Sequence, residues 1–313
     1  MYDDAAIPSR YPSYSSPAVP QGNSVPQEIP MLTHRPLSHR CRILLQSAVF
    51  ALAATSLASA ATLCVPPHGH LGCQKTIGAA VAAAAPGDVI YVWPAVYKEQ
   101  VTITQSVSLV AIPGSHSVID AKGLPNGIFI NGMAAAPSAG VSNVVVSGFE
   151  VRNANFEGIL VANGSNITLT GNNVHGNNQA LDITNAACPG IPAFETNEGE
   201  DCGEGIHLMG VDHSTVRDND VDYNSGGILI SDETGPSQSN LITGNQVHDN
   251  PYDCGITMAS HGPAPGVVAT GPFGIWNNTI SHNASYRNGT KLPGAGAGVG
   301  IFAPFPGTTD AGN

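Results

Sequence analysis

Short apolar runs with a period of two alternate with polar corners through the second half of the chain, with no stripe of helical spacing among them. The runs belong to a repeated phrase, Asn-x-(Val/Ile)-x-x-Asn, which starts at Asn172, Asn219, Asn245 and Asn278. Upstream of it come apolar pairs such as Ile167 and Leu169, or Leu241 and Ile242; downstream come Gly-Ile strands at Gly227-Ile228 and Gly255-Ile256. Self-similarity at roughly 20 to 30 residues with strand periodicity predicts a β-solenoid, in which each repeat is one coil.

Within a strand, alternate side chains face opposite sides, so Val221 is expected to point into the coil while Asp220 and Asp222 point out. Asparagine tolerates left-handed backbone and suits the corners between strands. Identical corners stacked at a strand spacing of about 4.8 Å let each Asn amide bond its neighbours above and below, a ladder inside the coil. One coil cannot bury its own apolar face, so the fold requires several stacked together.

The repeats, together with the entry segment Thr76–Thr104, resemble a right-handed parallel β-helix of the pectin-lyase-like superfamily. The resemblance covers roughly Thr62 to the end. It implies an all-β fold with a short N-terminal capping helix over about 74–85, a Pro86-Gly87-Asp88 turn and a first strand at Val89–Val92. It implies little about activity, because this superfamily holds lyases, hydrolases, epimerases and noncatalytic proteins alike. Polygalacturonase-like elements are absent from the sequence. Asn250-Pro251-Tyr252-Asp253 is a partial echo of an epimerase-like Asp-Pro-His-Asp element, without its first Asp or its His.

Composition agrees with that class: 11% of residues are charged and 36 of 313 are Gly. Residues 1–30 read as a non-native or disordered extension. Residues 31–60 carry Arg35, Arg40 and Arg42, an apolar run Ile43–Leu57 and Ala58-Ser59-Ala60, the layout of a signal peptide cleaved after Ala60. An uncleaved anchor is the alternative, although spanning needs about 20 apolar residues. The β-helix domain is expected over 61–313, secreted or in the periplasm or cell envelope, with its C-terminal cap missing from the sequence. Beyond residue 60 the chain keeps 7 basic and 20 acidic residues, a net of about −13. That balance argues against nucleic acid and anionic membrane, and favours neutral glycans or acidic ones bridged by calcium.

Five cysteines lie beyond the signal segment. Cys64 with Cys73 and Cys188 with Cys202 bracket short loops; Cys202 with Cys254 across coils is the competing pairing. Asp218, Asp220 and Asp222 echo a calcium loop, but Tyr223 stands where a Gly is needed and Leu229 where the bidentate Glu is needed, so the repeat itself explains them.

Aligning the Gly-Ile strands stacks Phe129, Leu160, Asp182, His207, Leu229 and Thr257 into one outward column. Asp232, Glu233 and His261 follow the strand ends, and Glu204 and Asp253 precede the strands. Two carboxylates flanking a sugar bond serve as acid and base or nucleophile, and a nearby His relays a proton. Asp182, Glu204, His207, Asp232, Glu233, Asp253 and His261 are therefore the candidate catalytic residues. The interruption at Ala186–Gly203, with Glu195, Glu198, Glu200 and Asp201, is the place where an insertion would wall a groove. Two readings follow: an exported lyase or hydrolase acting on polysaccharide, and a noncatalytic glycan-binding β-helix. Calcium is the only cofactor either reading invokes.

Overall fold

A computed structural model describes residues 60–67, 70–114, 116–134, 140–195, 202–262, 273–291, 296–303 and 310–313. The expected extension and, apart from Ala60, the expected signal segment lie outside them. Parallel strands stack into three long sheets of eight, seven and seven strands. One central coil runs Gly164–Thr170, Asn173–His175 and Glu204–Met209; the next runs Thr215–Arg217, Asp220–Asp222 and Gly226–Ser231. The chain thus visits the first, second and third sheets in turn, the path of a right-handed parallel β-helix.

The interior follows from registered alternation. Leu169, Val216 and Ile242 stack in the first sheet, Val174, Val221 and Val247 in the second, and Ile206, Ile228 and Ile256 in the third. All are buried, each contributing about 1.5–3 kcal/mol by leaving water. The glycine before each Ile is required by close stacking: a Cβ on Gly127 would lie 2.6 Å from the Gly158 carbonyl, and one on Gly158 would lie 2.6 Å from that of Gly205.

Both asparagines of the phrase form ladders. Nδ2 of Asn172 donates to Oδ1 of Asn219 at 3.0 Å, and Nδ2 of Asn219 donates to Oδ1 of Asn245 at 2.9 Å. Asn177, Asn224, Asn250 and Asn288 repeat the arrangement at the next corner. Each Oδ1 also accepts the backbone N–H of the residue on the adjacent rung, as at Asn219 N to Asn245 Oδ1, 3.0 Å. The left-handed backbone expected of these asparagines falls instead on the residue before each one: Asp218 (φ 56°), Tyr223 (φ 52°) and Asp249 (φ 57°). That residue turns the corner and leaves the Asn side chain free to point inward.

The helix spans Ile77–Ala83, shorter than expected. Thr76 stays extended as its N-cap and accepts from Ala79 N at 3.0 Å, and Ala84 is already extended. Glu99 accepts from Ile77 N and Gly78 N at 2.9 and 2.8 Å, placing a carboxylate on the positive end of the helix. The first strand after it begins at Asp88, whose carboxylate accepts from Ala85 N at 2.8 Å and Ala61 N at 2.7 Å and so pins the turn. Of the two cysteine schemes, Cys64–Cys73 and Cys188–Cys202 form; Cys254 is a buried thiol. Among the described residues no helix is long and apolar enough to cross a membrane.

Candidate functional site

Successive rungs are 26 residues apart from Asn219 to Asn245 and 38 from Asn245 to Asn283, but Asn172 and Asn219 are separated by 47. The extra chain leaves the solenoid after Asn178 and returns at Glu204, closed near its base by Cys188–Cys202. It corrects the alignment of Asp182. Leu160 pairs directly with His207, so the column is Phe129, Leu160, His207, Leu229 and Thr257. Asp182 lies in the excursion, where its carboxylate accepts from Thr184 N at 3.0 Å and from Asn185 Nδ2 at 2.7 Å. The Asn185 side chain is the main reason its carboxyl sits below the ordinary range. The chain after Asn178 peels away into its own turns, which the strand pattern could not reveal.

A second correction concerns exposure. The column and the charged groups beside it were expected to face solvent, yet His207 is 3% exposed, Glu204 3%, Glu233 1% and Asp232 0%. The excursion folds back over this sheet: Phe194 stacks on Phe129 with ring centroids 6.1 Å apart, beside the buried Leu160 and Met209. The next residue, Glu195, is buried with both carboxylate oxygens lacking a hydrogen-bond partner among the described residues. Burial pushes its carboxyl well above the ordinary range, and the negative charges of Glu157 and Glu233 push it further.

His207 is the hub. Its Nδ1 lies 3.1 Å from Glu157 Oε1 and 3.8 Å from Glu204 Oε2, and its Nε2 lies 2.7 Å from Ser231 Oγ. Glu157 Oε2 meanwhile accepts from Glu204 N at 2.6 Å, standing in for an Asn in a corner ladder that begins with Glu157 N on Asn126 Oδ1. Beyond Ser231, Glu233 Oε1 lies 2.7 Å from His261 Nδ1. Burial alone would raise the Glu233 carboxyl. The hydrogen bond from His261, the fields of His207 and His261 and the Ser231 hydroxyl outweigh it and hold the group below its ordinary value.

The remaining candidates divide. Asp232 points into a turn: it accepts from Ser260 Oγ at 2.7 Å, His261 N at 2.7 Å and Gly262 N at 2.9 Å, so it fixes the backbone that carries His261. Asp253 is half-buried at the edge of the cluster, across Gly226 from Glu204, and accepts from Thr257 Oγ1 at 3.3 Å. The structure thus brings together Glu204, His207, Glu233 and His261, supports them with Asp232, flanks them with Asp253 and leaves Asp182 apart. Glu198, Glu200 and Asp201 lie outside the described residues. Sequence reasoning missed Glu157 and Ser231. The signal for Glu157 was present, because Glu157-Gly158-Ile159 repeats Glu204-Gly205-Ile206 one coil earlier.

Asp218 sits on a corner and pairs with Arg217 at 2.8 Å, while Asp220 faces His248 Nε2 at 3.1 Å. Beside the buried cluster, along the turns that follow the third sheet, a cleft of about 260 Å³ is lined by Ser142, Asn163, Ser165, Asp212 and Thr234. Thr234 follows Glu233 directly, and Ser165 and Asp212 are hydrogen-bonded to each other.

Residues 126–303 match the family described as the right handed beta helix region, and the chain belongs to that family. Among solved structures it is similar to pectate lyase Pel9A, with a TM-score of 0.50 and 17% identity over 76% of this chain and 56% of that one. The present chain therefore spans little more than half of that lyase. It also matches an alginate lyase from Paenibacillus sp. str. FPU-7 (TM-score 0.44, 11% identity, 81% of this chain and 98% of that one). A pectin methylesterase from Aspergillus niger matches with a TM-score of 0.26 and 13% identity over 72% and 86% of the two chains. No curated protein matches the sequence.

Proposed function

We propose that the chain is an exported β-helix protein acting on polysaccharide, a lyase or hydrolase whose acid–base groups are Glu204, His207, Glu233 and His261. The observation that carries this reading is their convergence, with Glu157, on one sheet face beneath a disulfide-closed excursion. Carboxylates and imidazoles in mutual hydrogen-bond reach are the groups that glycosidic cleavage or proton abstraction requires. The adjoining cleft, lined by hydroxyl, amide and carboxylate groups from several coils, offers the donors and acceptors that a sugar chain takes. Two disulfides fit an oxidising compartment. The pectate and alginate lyases among the structural relatives act on glycans by their names, which agrees with the reading without carrying it.

The test is a depolymerisation screen over neutral and acidic polysaccharides, with and without added divalent cation, read by unsaturated products and by new reducing ends. Wild-type turnover that Glu233→Gln and His261→Ala each reduce at least a hundredfold is the expected result. Wild-type turnover that survives both substitutions removes these groups from the chemistry.

Burial of the same groups favours a second reading, a noncatalytic glycan-binding β-helix in which the cluster braces the excursion and the cleft alone meets sugar. Glycan-array binding without any product, lost in Asp212→Ala and kept in Glu233→Gln, would select it.

A further inference from the structure

Four buried carboxylates, Glu157, Glu195, Glu204 and Glu233, surround two imidazoles, His207 and His261. Burying a charge costs several kcal/mol unless it is paired and hydrogen-bonded. Glu157 and Glu233 have partners of that kind. Glu195 has none among the described residues, yet it is 6% exposed and within electrostatic reach of Glu157 and Glu233. An apolar anchor, Phe194 on Phe129, holds it there.

The ligating atoms of Glu157, Glu204 and His207 all lie within 4.8 Å of one another. The His207 Nδ1 separations, 3.1 Å to Glu157 Oε1 and 3.8 Å to Glu204 Oε2, bracket the spacing of about 3.3 Å between ligands of a tetrahedral ion bound at about 2.0–2.1 Å. Ligation through Nδ1 also explains the far side of the ring. Nε2–H would then donate to Ser231 Oγ, 2.7 Å away, which fixes the orientation of the ring.

We propose that Glu157, Glu204 and His207, closed over by Glu195, form a binding site for a first-row divalent cation of the manganese-to-zinc class. An imidazole among carboxylates selects that class over calcium, which takes oxygen ligands alone. The site shares residues with the proposed glycan chemistry but does not depend on it: metal content reports one and glycan products the other.

The experiment uses the mature chain with both disulfides intact, dialysed against EDTA and then titrated with Mn²⁺, Zn²⁺ and Ca²⁺. Calorimetry and thermal melting follow binding, and elemental analysis after desalting gives the stoichiometry. One equivalent of Mn²⁺ or Zn²⁺, with a rise in melting temperature on loading, is expected. Glu195→Gln should weaken binding about tenfold or more while leaving the fold intact, as judged by circular dichroism, and His207→Gln should abolish it. Glu150→Gln, on the second sheet beside Arg152, should change nothing. Less than a tenth of an equivalent retained, binding of calcium alone, or unchanged affinity in both Glu195→Gln and His207→Gln would each overturn the assignment. Should His207→Gln fail to fold, Glu195→Gln decides alone.

Discussion

His207 and Glu157 are 50 residues apart in sequence and 3.1 Å apart in space, the imidazole Nδ1 against a carboxylate that is 1% exposed. The parallel register that sets Leu160 against His207 brings them together, since Glu157 precedes the same strand as Leu160. Strand register therefore holds the two backbones at the spacing that this contact needs.

Removing His207 therefore takes a buried hydrogen-bond partner from both Glu157 Oε1 and Ser231 Oγ. His207→Ala is expected to lose roughly 1–3 kcal/mol in urea unfolding for each group left unsatisfied. Glu157→Gln keeps an acceptor for Glu204 N and should lose about 1 kcal/mol. The double variant should fall well short of the sum of the two losses, since they share one interaction. Additive losses would show that the two residues act separately.

Asn245 is a central rung: its Oδ1 accepts both N and Nδ2 of Asn219, and its own Nδ2 donates to Asn283 Oδ1 at 2.9 Å and Val216 O at 3.0 Å. Truncation leaves several buried groups unsatisfied, at roughly 1–3 kcal/mol each. Asn245→Ala is thus expected to destabilise by more than about 3 kcal/mol, which thermal or urea unfolding will measure. An effect under 1 kcal/mol would mean that water replaces the rung and that the ladder is not what stabilises the corners.

The Cys188–Cys202 bridge closes a loop whose ends are 14 residues apart, and it contains Phe194 and Glu195. Loop-closure entropy for that length is worth about 3 kcal/mol. Replacing both cysteines by Ser should lower stability by about that amount and expose the peptide bonds between them. Limited proteolysis mapped by mass spectrometry would show cuts between 188 and 202 before any elsewhere. Equal resistance in both forms would place the anchoring in the Phe194–Phe129 stack alone.

Asp249 accepts from Arg287 Nε at 2.6 Å and lies 2.8 Å from His248 Nδ1. These hydrogen bonds, led by that of Arg287, hold its carboxyl well below 3.8 against a smaller opposing effect of burial. A depressed folded-state pKa contributes stability that is present above the unfolded value and is lost as pH falls through the folded one. Arg287→Ala should move the Asp249 titration back toward 3.8, followed by carboxyl-carbon NMR, and should shift acid unfolding to higher pH. Stability at neutral pH should change little, because the pair is open to solvent on the Arg287 side. An unmoved Asp249 titration would assign the shift to His248.

The scaffold was legible in the sequence because it is repetitive: the Asn phrase, the Gly-Ile strands and the period-two interior are local signals repeated until they are unmistakable. The site was legible only in part. His207, Glu204, Glu233 and His261 could be placed by counting from the repeat, since each lies within a few residues of a strand. Asp182 could not, because the excursion has no period and a strand register counted through it fails. Burial was the other hidden quantity. An outward position on a solenoid strand reads as exposed, and only the stack of Phe194 on Phe129 reveals that the face is covered. What marks Glu157 is its contact with His207, 50 residues away, which only the fold creates.

One consequence of the corner geometry is testable away from the site. Tyr223 turns its corner at φ 52°, a conformation that costs an L residue with a Cβ roughly 1–2 kcal/mol, and its side chain is exposed. At the equivalent place one coil earlier, before Asn177, the chain uses Gly176 at φ 62°. Tyr223→Gly removes the steric cost and adds back part of it as lost unfolded-state restriction, about 0.5–1 kcal/mol. The net expectation is a gain of up to about 1 kcal/mol in urea unfolding, with Asn224 keeping its bonds to Asn177 and Asn250. A loss of stability would show that the Tyr223 ring makes contacts worth more than the backbone strain it imposes.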